Sequence, residues 1–413
     1  MKAVHMKNLA LEANSYFDGQ TYHDSGPYNV LVKHGRIQSV QQARSVIAGT
    51  TATMQGVEKL SVEFLMPGMV EAHSHLFLDG AELDFNVRSE YLKAPLSRML
   101  EVARNNARAN LASGITLVRD AGDRYGVNHA IREEYRTRGL APVIRSPGLG
   151  LRRPNKYGAF MATEVASAAE ITAAIAHAAS DADDLKVLLT GIIDFEAGTV
   201  TTPPQFDLES LRLIVSCAAE NGLKTFAHCS GLDGLELAVA AGVDSVEHGF
   251  FMTESILDVM AQKGIAWVPT FSPVHVQWAR PELAGWKDNT VANLRCILDG
   301  HLRHVEMAYH KGVPVVAGSD AGSYGVPHGA SLINELIFFL DAGLPMREVL
   351  ESVTSRPRRL WGSEPAEIRV GNVANLVALG ASPFEQPEAL RQVRMVLSGG
   401  SLLHNDPSCE KSA

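Results

Sequence analysis

The sequence has few of the features that mark secreted, membrane-bound or nucleic-acid-binding proteins. Only four of its 413 residues are cysteines, and none form a Cys-x-x-Cys pair, so a disulfide framework is not indicated and a reducing compartment fits. The formal net charge is -9, without a basic run, which argues against nucleic-acid partners and a polybasic membrane anchor. No apolar run has the length of a signal peptide or a bilayer span. We therefore expect a cytoplasmic protein.

A regular alternation of short apolar segments and longer helical patterns fills the sequence from about residue 64 to residue 361. We predict eight strands, near residues 65–73, 115–120, 142–146, 185–190, 224–229, 243–248, 265–270 and 313–319. Strands that alternate with helices over roughly 250 residues predict an α/β fold, with a parallel sheet closed into a (β/α)8 TIM barrel. A doubly wound open sheet is the alternative, but no glycine-rich phosphate loop follows the first strand.

The two flanks of this region contain short strand-like segments instead. Examples are Asn29–Lys33 and Ile37–Val40 near the beginning, and Val373–Leu379 and Val393–Leu397 near the end. We predict that residues 1–64 and 365–413 form a small β-sandwich, and that residues 65–364 form the barrel.

Histidines at the end of the first predicted strand are the first candidate ligands. His73 and His75 are separated by one residue, and alternate residues of a strand point to the same side. Both imidazoles would therefore face the barrel mouth, although a single His-x-His pair also occurs at ordinary polar strand ends.

Lys186 is an unusual residue to find on the inward side of the fourth predicted strand, where it shares strand parity with Leu188 and Thr190. A lysine at a strand start is commonly solvated. When it is buried, however, the lysine loses its proton more easily, and a neutral amine can add carbon dioxide to form a carbamate.

Three further polar residues end predicted strands five, six and eight: His228, His248 and Asp320. Each has an ordinary structural interpretation on its own, such as a helix N-cap for Asp320. Active sites of such barrels lie at the carboxyl ends of the strands, and imidazoles and carboxylates suit zinc or a similar divalent ion. The six candidate ligands are His73, His75, Lys186, His228, His248 and Asp320.

With these residues in place, the chain resembles the amidohydrolase superfamily. It is most similar to the imidazolonepropionase-related branch, which includes metal-dependent dipeptidases with a carbamylated lysine. The segments that carry the resemblance are 67–75 (PGMVEAHSH), 116–122 (TLVRDAG), 186–191 (KVLLTG), His228, 246–249 (VEHG), 318–322 (GSDAG) and 371–379 (GNVANLVAL). The family's barrel and terminal β-sandwich agree with our independent prediction.

Carried over position by position, the resemblance implies a site with two divalent ions, expected to be zinc. His73, His75 and Asp320 would hold the more buried ion, the histidines of strands five and six the other, and carbamylated Lys186 would bridge them. A hydroxide between the ions would attack a carbonyl, and Asp320 would pass its proton to the leaving nitrogen. Relatives often assemble as homo-oligomers, which we expect here too.

Sequence and family differ in the loop after the third strand, where Tyr157-Gly158 stands in place of the Gly-His-Gly element of dipeptidase-like relatives. Arg152, Arg153 and Lys156 of the same loop would bind a substrate carboxylate, or else form a solvated basic loop. The complete set of candidate substrate-binding residues is Tyr157, Arg152, Arg153, His275, Gln277 and His328.

The predicted function is that of a binuclear amidohydrolase, which hydrolyses an amide or related C–N bond of a small molecule. N-acyl amino acids, dipeptides and aromatic amides are the candidate substrates. Deamination of a nitrogen heterocycle is an alternative, but relatives with that chemistry commonly lack the lysine on strand four. A carbamate or ester hydrolase and a non-catalytic scaffold are the remaining alternatives, and the filled ligand positions argue against the scaffold.

Overall fold

A computed structural model describes residues 8–43 and 57–405 of the chain. The strands are β1 (Asn8–Phe17), β2 (Tyr22–His23), β3 (Tyr28–Lys33), β4 (Arg36–Gln42), β5 (Val57–Pro67), β6 (Met69–Ser74), β7 (Ile115–Asp120), β8 (Val143–Arg145), β9 (Gly150–Arg152), β10 (Ala162–Glu164), β11 (Asp184–Leu188), β12 (Lys224–Cys229), β13 (Ser245–His248), β14 (Ala266–Val268), β15 (Leu376–Leu379), β16 (Val393–Ser398) and β17 (Ser401–Asn405).

Helices follow most of the central strands. They are α1 (Phe85–Tyr91), α2 (Leu96–Ala112), α3 (Val127–Arg138), α4 (Ala168–Ala178), α5 (Leu208–Glu220), α6 (Leu232–Ala241), α7 (Glu254–Lys263), α8 (Ser272–Ala279), α9 (Asp288–Lys311), α10 (Ala330–Asp341), α11 (Met346–Val353) and α12 (Ser355–Leu360), with 3-10 turns at Pro281–Leu283 and Pro387–Arg391. Within the described ranges, no helix combines the length and the apolarity that crossing a bilayer requires.

The chain divides into two compact units. The first comprises the described residues of Met1–Val70, Arg108–Leu117 and Pro345–Ala413, and the second comprises Glu71–Ala107 and Val118–Leu344. The predicted domain boundaries, after residues 64 and 364, stay a prediction.

Strands from both ends of the described chain form the mixed sheet of the first unit. Its order is β17-β16-β15-β5-β1-β3-β4, and β2 pairs with β1. One face of β1 is buried because its apolar residues alternate, and Leu9, Leu11 and Leu397 belong to the same apolar cluster. Strands from both termini therefore share one sheet, and its pairing with a second layer as a sandwich stays a prediction.

Most of the candidate ligands lie on or directly after buried strands of two further sheets. One sheet has the order β6-β7-β8 and another the order β10-β9-β11-β12-β13-β14, and the pairs from β9 to β14 are parallel. The strands are almost wholly buried, as expected for sheets that helices cover on the outside. The predicted α/β architecture is confirmed, and closure into a barrel stays a prediction at this point.

The predicted eighth strand differs from the others. In place of a continuous ladder, residues 313–320 make separate backbone hydrogen bonds to both neighbours: Val316 donates to Trp267 (2.9 Å), and Ala72 donates to Ala317 (3.2 Å). The backbone N–H of Asp320 then donates to the carbonyl of His73 at 2.7 Å. This bond brings the end of the segment beside the end of β6.

Candidate active site

The end of β6 and the end of segment 313–320 bring three of the predicted ligands together. Ligand atoms of His73, His75 and Asp320 lie within 4.8 Å of one another. Oδ1 of Asp320 lies 3.7 Å from Nε2 of His73 and 3.5 Å from Nε2 of His75. Gly318 permits this approach, since a Cβ there would lie 2.9 Å from the backbone nitrogen of His73.

His73 is held from behind by a buried carboxylate. Its Nδ1 donates to Oε2 of Glu247 over 2.6 Å, so its Nε2 carries the lone pair that faces the site. Arg119 donates to the other oxygen of Glu247 at 2.9 Å, and Ser245 donates to the same oxygen at 2.6 Å. These bonds fix the tautomer and the direction of the His73 ring.

His228 and His248 form the second group of predicted ligands. Their ring centroids lie 4.5 Å apart, and the ring of His73 lies 5.0 Å from that of His248. Nδ1 of His248 is 2.7 Å from the hydroxyl of Thr270. This contact leaves Nε2 of His248 directed toward the neighbouring rings.

Backbone conformation contributes to this convergence. His248, Thr270 and Asp320 have φ of 70°, 52° and 54°. Left-handed conformations are uncommon for residues other than glycine, and they concentrate at functional sites because the surrounding structure must over-determine them. In His248 and Asp320 the unusual φ turns the chain at the strand end, where the side chain enters the site.

Lys186 lies between the two groups. It is fully buried, and its Nζ is 3.3 Å from Nε2 of His73 and 4.9 Å from the centre of the Phe226 ring. Burial lowers the pKa of Lys186 to about 8, although Glu247 and Asp320 act to raise it. A neutral amine is therefore accessible near neutral pH.

The histidines are neutral in this environment. Burial, with a smaller effect of the Lys186 charge, lowers the pKa of His75 and of His228 to about 3. The pKa of His73 falls well below its usual value through burial and Lys186, and that of His248 through burial and His228. Neutral imidazole is the form that binds a metal.

The donor set fits a divalent cation. Nε2 of His228, Nε2 of His248 and Oδ1 of Asp320 are buried, and none has a hydrogen-bond partner among the described residues. A buried polar atom without a partner is costly, so native proteins rarely leave several of them together unless a ligand satisfies them. Imidazole nitrogens combined with a carboxylate are the donors that zinc and similar ions prefer.

A cavity of about 220 Å³ opens onto these groups. It reaches all six predicted ligands: His73, His75, Lys186, His228, His248 and Asp320. Its remaining wall is mainly apolar, with Met161, Ile193, Phe195, Phe250 and Val274 among the contributors.

Two of the predicted substrate-binding residues line this cavity. The ring of Tyr157 lies 5.2 Å from that of His228, and burial raises the pKa of the Tyr157 hydroxyl. Gln277 also lines the cavity, and its Oε1 accepts a 2.8 Å hydrogen bond from Nε1 of Trp286.

The other four lie elsewhere. Arg152 donates to the Lys156 carbonyl (2.7 Å) and to Glu164 (2.6 Å), and Arg153 donates to the Ala166 carbonyl (2.8 Å) and to Ser210 (2.7 Å). Outside the cavity lining, His275 packs on Phe338 with centroids 4.8 Å apart, and Nε2 of His328 lies 3.2 Å from the Leu78 carbonyl.

Several residues that support the site were missed by the sequence analysis. Besides Glu247, Glu71 accepts hydrogen bonds from the backbone nitrogens of His73 (3.0 Å) and Ser319 (2.9 Å). Asp120 accepts from the backbone nitrogens of Leu76 and Gly122, both at 2.8 Å. Their sequence signal is a carboxylate inside an otherwise apolar strand, which is rare unless the group is paired.

The chain is similar to several known proteins. The model of the amidohydrolase family matches residues 64–403. An uncharacterised protein of Mycobacterium tuberculosis is 28% identical over 82% of this chain and 84% of its own length. Ochratoxinase of Aspergillus niger is 29% identical over 48% of this chain and 42% of its own length.

Several solved structures are also similar to this chain in fold. A Xaa-Pro dipeptidase structure has a TM-score of 0.80 at 22% identity, covering 96% of this chain and 100% of that chain. The A. niger ochratoxinase structure also has a TM-score of 0.80, at 20% identity over 98% and 99%. At such identities the likeness concerns the fold. Homologues from the amidohydrolase family are hydrolytic enzymes. The family model covers most of the sequence, and the chain therefore belongs to the amidohydrolase family.

Proposed function

We propose that the chain is a binuclear metal-dependent hydrolase that cleaves an amide or related C–N bond of a small molecule. The observation that carries this proposal is the convergence of unpaired buried donor atoms from His228, His248 and Asp320 on one apolar cavity. The hydrogen bonds that join segment 313–320 to β14 and to β6 support a closed barrel, with the site at the carboxyl ends of its strands.

The proposed ligand assignment follows the two groups. His73, His75 and Asp320 would hold one ion, and the His228–His248 pair would hold the other. Carbamylated Lys186 would supply a ligand to both, since its lowered pKa gives the neutral amine that adds carbon dioxide. Two divalent ions, when bound, supply Lewis acidity for the carbonyl and for water.

Asp320 is the proposed proton carrier. Oδ2 of Asp320 accepts a 3.0 Å hydrogen bond from Ser323, while Oδ1 faces the cavity and has no partner among the described residues. Burial raises the pKa of Asp320 to about 7, against the effect of Lys186, so the buried carboxylate has a higher proton affinity than an exposed one.

Asp320 carries one proton from water to the leaving nitrogen. Water adds to the carbonyl carbon and loses a proton to Asp320. The C–N bond then breaks, the nitrogen takes that proton, and a carboxylic acid and an amine are the products. Heterocycle deamination would release ammonia instead, and the presence of Lys186 favours amide cleavage over it.

Metal dependence and product identity test the proposal. Protein loaded with zinc should hydrolyse N-acetyl-4-methylaniline to acetate and 4-methylaniline, and chelator-treated protein should lose this activity. His73→Asn should reduce kcat/KM by about 100-fold or more. Loss of a residue that only hydrogen-bonds to a metal ligand already lowers metal affinity or activity by about 10- to 100-fold, and loss of the ligand itself should have a larger effect. His177→Asn, an exposed helical histidine, is the matched control. Equal activity of the two variants, or activity independent of metal, would contradict the proposal.

A further inference from the structure

The wall of the catalytic cavity has a distinctive charge pattern. Among the described residues, a single lysine or arginine lines the cavity, and this is Lys186. That residue is fully buried, and its Nζ lies 3.3 Å from Nε2 of His73, so it belongs to the candidate ligand set. The remaining wall therefore offers an incoming substrate no cationic side chain.

The two arginines of the loop after the third predicted strand do not change this pattern. Arg152 donates to Glu164 and to the Lys156 carbonyl, so its charge is already paired within the loop. The guanidinium of Arg153 lies 4.9 Å from the centre of the Phe206 ring and donates to the Val165 carbonyl at 3.1 Å. Neither side chain lines the cavity.

Two large apolar side chains are exposed at or beside the rim of the cavity. Ile192 lines the cavity and is 61% exposed, although it is a large aliphatic residue. Phe85 is 55% exposed and stacks on Tyr324, another lining residue, with ring centroids 4.5 Å apart and an angle of 7° between the ring planes. Exposed apolar residues at the mouth of a cavity commonly mark a binding surface for apolar groups.

The polar contacts that the wall does offer are neutral. Because Oε1 of Gln277 accepts from Trp286, its amide nitrogen is left to donate to a substrate oxygen. The hydroxyl of Tyr157 stays uncharged, since burial raises its pKa. Both groups can orient a neutral polar substituent, and neither can neutralise a carboxylate.

We propose that the enzyme selects uncharged, apolar substrates, such as N-acyl arylamines, and discriminates against substrates that carry a free carboxylate on the part that contacts this wall. A carboxylate on this wall would lose its hydration without gaining a cationic partner, which is strongly unfavourable. This selection rests on the proposed function. It narrows the candidate substrates from dipeptides, N-acyl amino acids and aromatic amides to uncharged aromatic amides.

A matched pair of compounds tests this selection. N-acetyl-4-methylaniline and N-acetyl-4-aminobenzoate share their shape and scissile bond, and the carboxylate is the more electron-withdrawing substituent, which by itself favours cleavage of the anion. Binding to the zinc-loaded enzyme is measured by calorimetry, and hydrolysis by release of acetate. We expect the neutral compound to bind about tenfold or more tightly and to have the larger kcat/KM.

Three outcomes are distinguishable. Equal or weaker binding of the neutral compound, including no measurable binding of either, would overturn the selection. Tighter binding of the neutral compound without hydrolysis of either would uphold the selection and count against the proposed function. Tighter binding together with hydrolysis supports both.

A variant with a positive charge added to the cavity wall provides a second measurement. Ile192→Arg places a cation on the exposed part of the wall, and Ile192→Gln has a polar side chain without charge. The arginine variant should raise kcat/KM for N-acetyl-4-aminobenzoate about tenfold over the glutamine variant, as expected for one new charge-assisted hydrogen bond. Equal values in the two variants would contradict the role of charge.

Discussion

Glu247→Gln is the substitution that most sharply tests how the site is organised. In the native protein Glu247 accepts the Nδ1 proton of His73 and a 2.9 Å hydrogen bond from Arg119. A glutamine that keeps its oxygen toward Arg119 turns its NH2 group toward Nδ1 of His73. The imidazole would then have to carry its proton on Nε2, where it can no longer bind a metal.

The structure allows the size of this effect to be worked out. Losing the group behind a metal-binding histidine typically costs 10- to 100-fold in metal affinity or activity, about 1.4 to 2.7 kcal/mol. Arg119 is buried, and removing its charged partner costs a further ~3 kcal/mol or more of unfolding free energy. We therefore expect a stable but weakened protein with at least about tenfold poorer zinc affinity.

Zinc affinity is measured by competition with a chelator of known affinity, and folding by circular dichroism on the same samples. Glu236→Gln is the matched control, since the same chemical change then falls on an exposed side chain. Native zinc affinity in a folded Glu247→Gln variant would refute the tautomer argument.

Three further substitutions test other contacts. Thr270→Val keeps the branched shape but removes the partner of Nδ1 in His248, so zinc affinity should fall about tenfold in chelator competition. Gly150→Ala would place a Cβ 3.0 Å from Cβ and Cγ of Lys186, so unfolding free energy should fall by about 1–3 kcal/mol in denaturant titration, with loss of bound metal. Burial raises the pKa of Glu335 from 4.5 to about 8, so the unfolding free energy of the wild-type protein should decline as pH rises from about 5 to 8. Glu335→Gln removes this titrating group and should make the decline smaller.

Controls and contrary results follow from the same contacts. Gly300 lies in a helix, and an added Cβ would make only an ordinary 3.8 Å contact with Nη2 of Arg303, so Gly300→Ala should not destabilise. The folded protein binds the Glu335 proton more tightly than the unfolded chain, so the group's contribution to stability is lost as pH rises from the unfolded toward the folded pKa. At about 1.4 kcal/mol for each pKa unit the loss is at most ~5 kcal/mol. Identical pH profiles of wild type and Glu335→Gln, unchanged zinc affinity in Thr270→Val, or equal stabilities of the two alanine variants would contradict these arguments.

Much of the fold was predictable because the apolar segments are short, buried and regularly spaced. The strands predicted at 115–120 and 224–229 agree with Ile115–Asp120 and Lys224–Cys229. The last predicted strand was less accurate, since residues 313–319 make separate hydrogen bonds to their neighbours in place of a ladder. The family resemblance is confirmed, and it carried the ligand assignment further than single residues could.

Side-chain direction was less predictable, because strand alternation fails at the site. Glu247 and His248 are consecutive, so an ideal strand would point them to opposite faces. Both nevertheless contact the ligand cluster, because His248 adopts a φ of 70°. The left-handed conformation of a histidine could not be predicted from the sequence pattern.

Long-range packing also escaped the sequence. His301 lies in a helix, and nothing in the surrounding sequence indicates that its ring is buried. The ring is buried and stacks on Phe250 with centroids 4.1 Å apart, and its Nε2 lies 3.0 Å from the Pro269 carbonyl. Such contacts depend on how a helix of the second unit packs over a loop distant in sequence.

Metal content per chain is the measurement that tests the central claim most directly. Protein purified without chelator is compared with its Lys186→Ala variant by elemental analysis, with circular dichroism as the check on folding. The two-ion account predicts nearly two metal ions per chain in the wild type and fewer in the folded variant, together with loss of amide hydrolysis. One metal ion per chain in both proteins would contradict the lysine bridge and favour a mononuclear site.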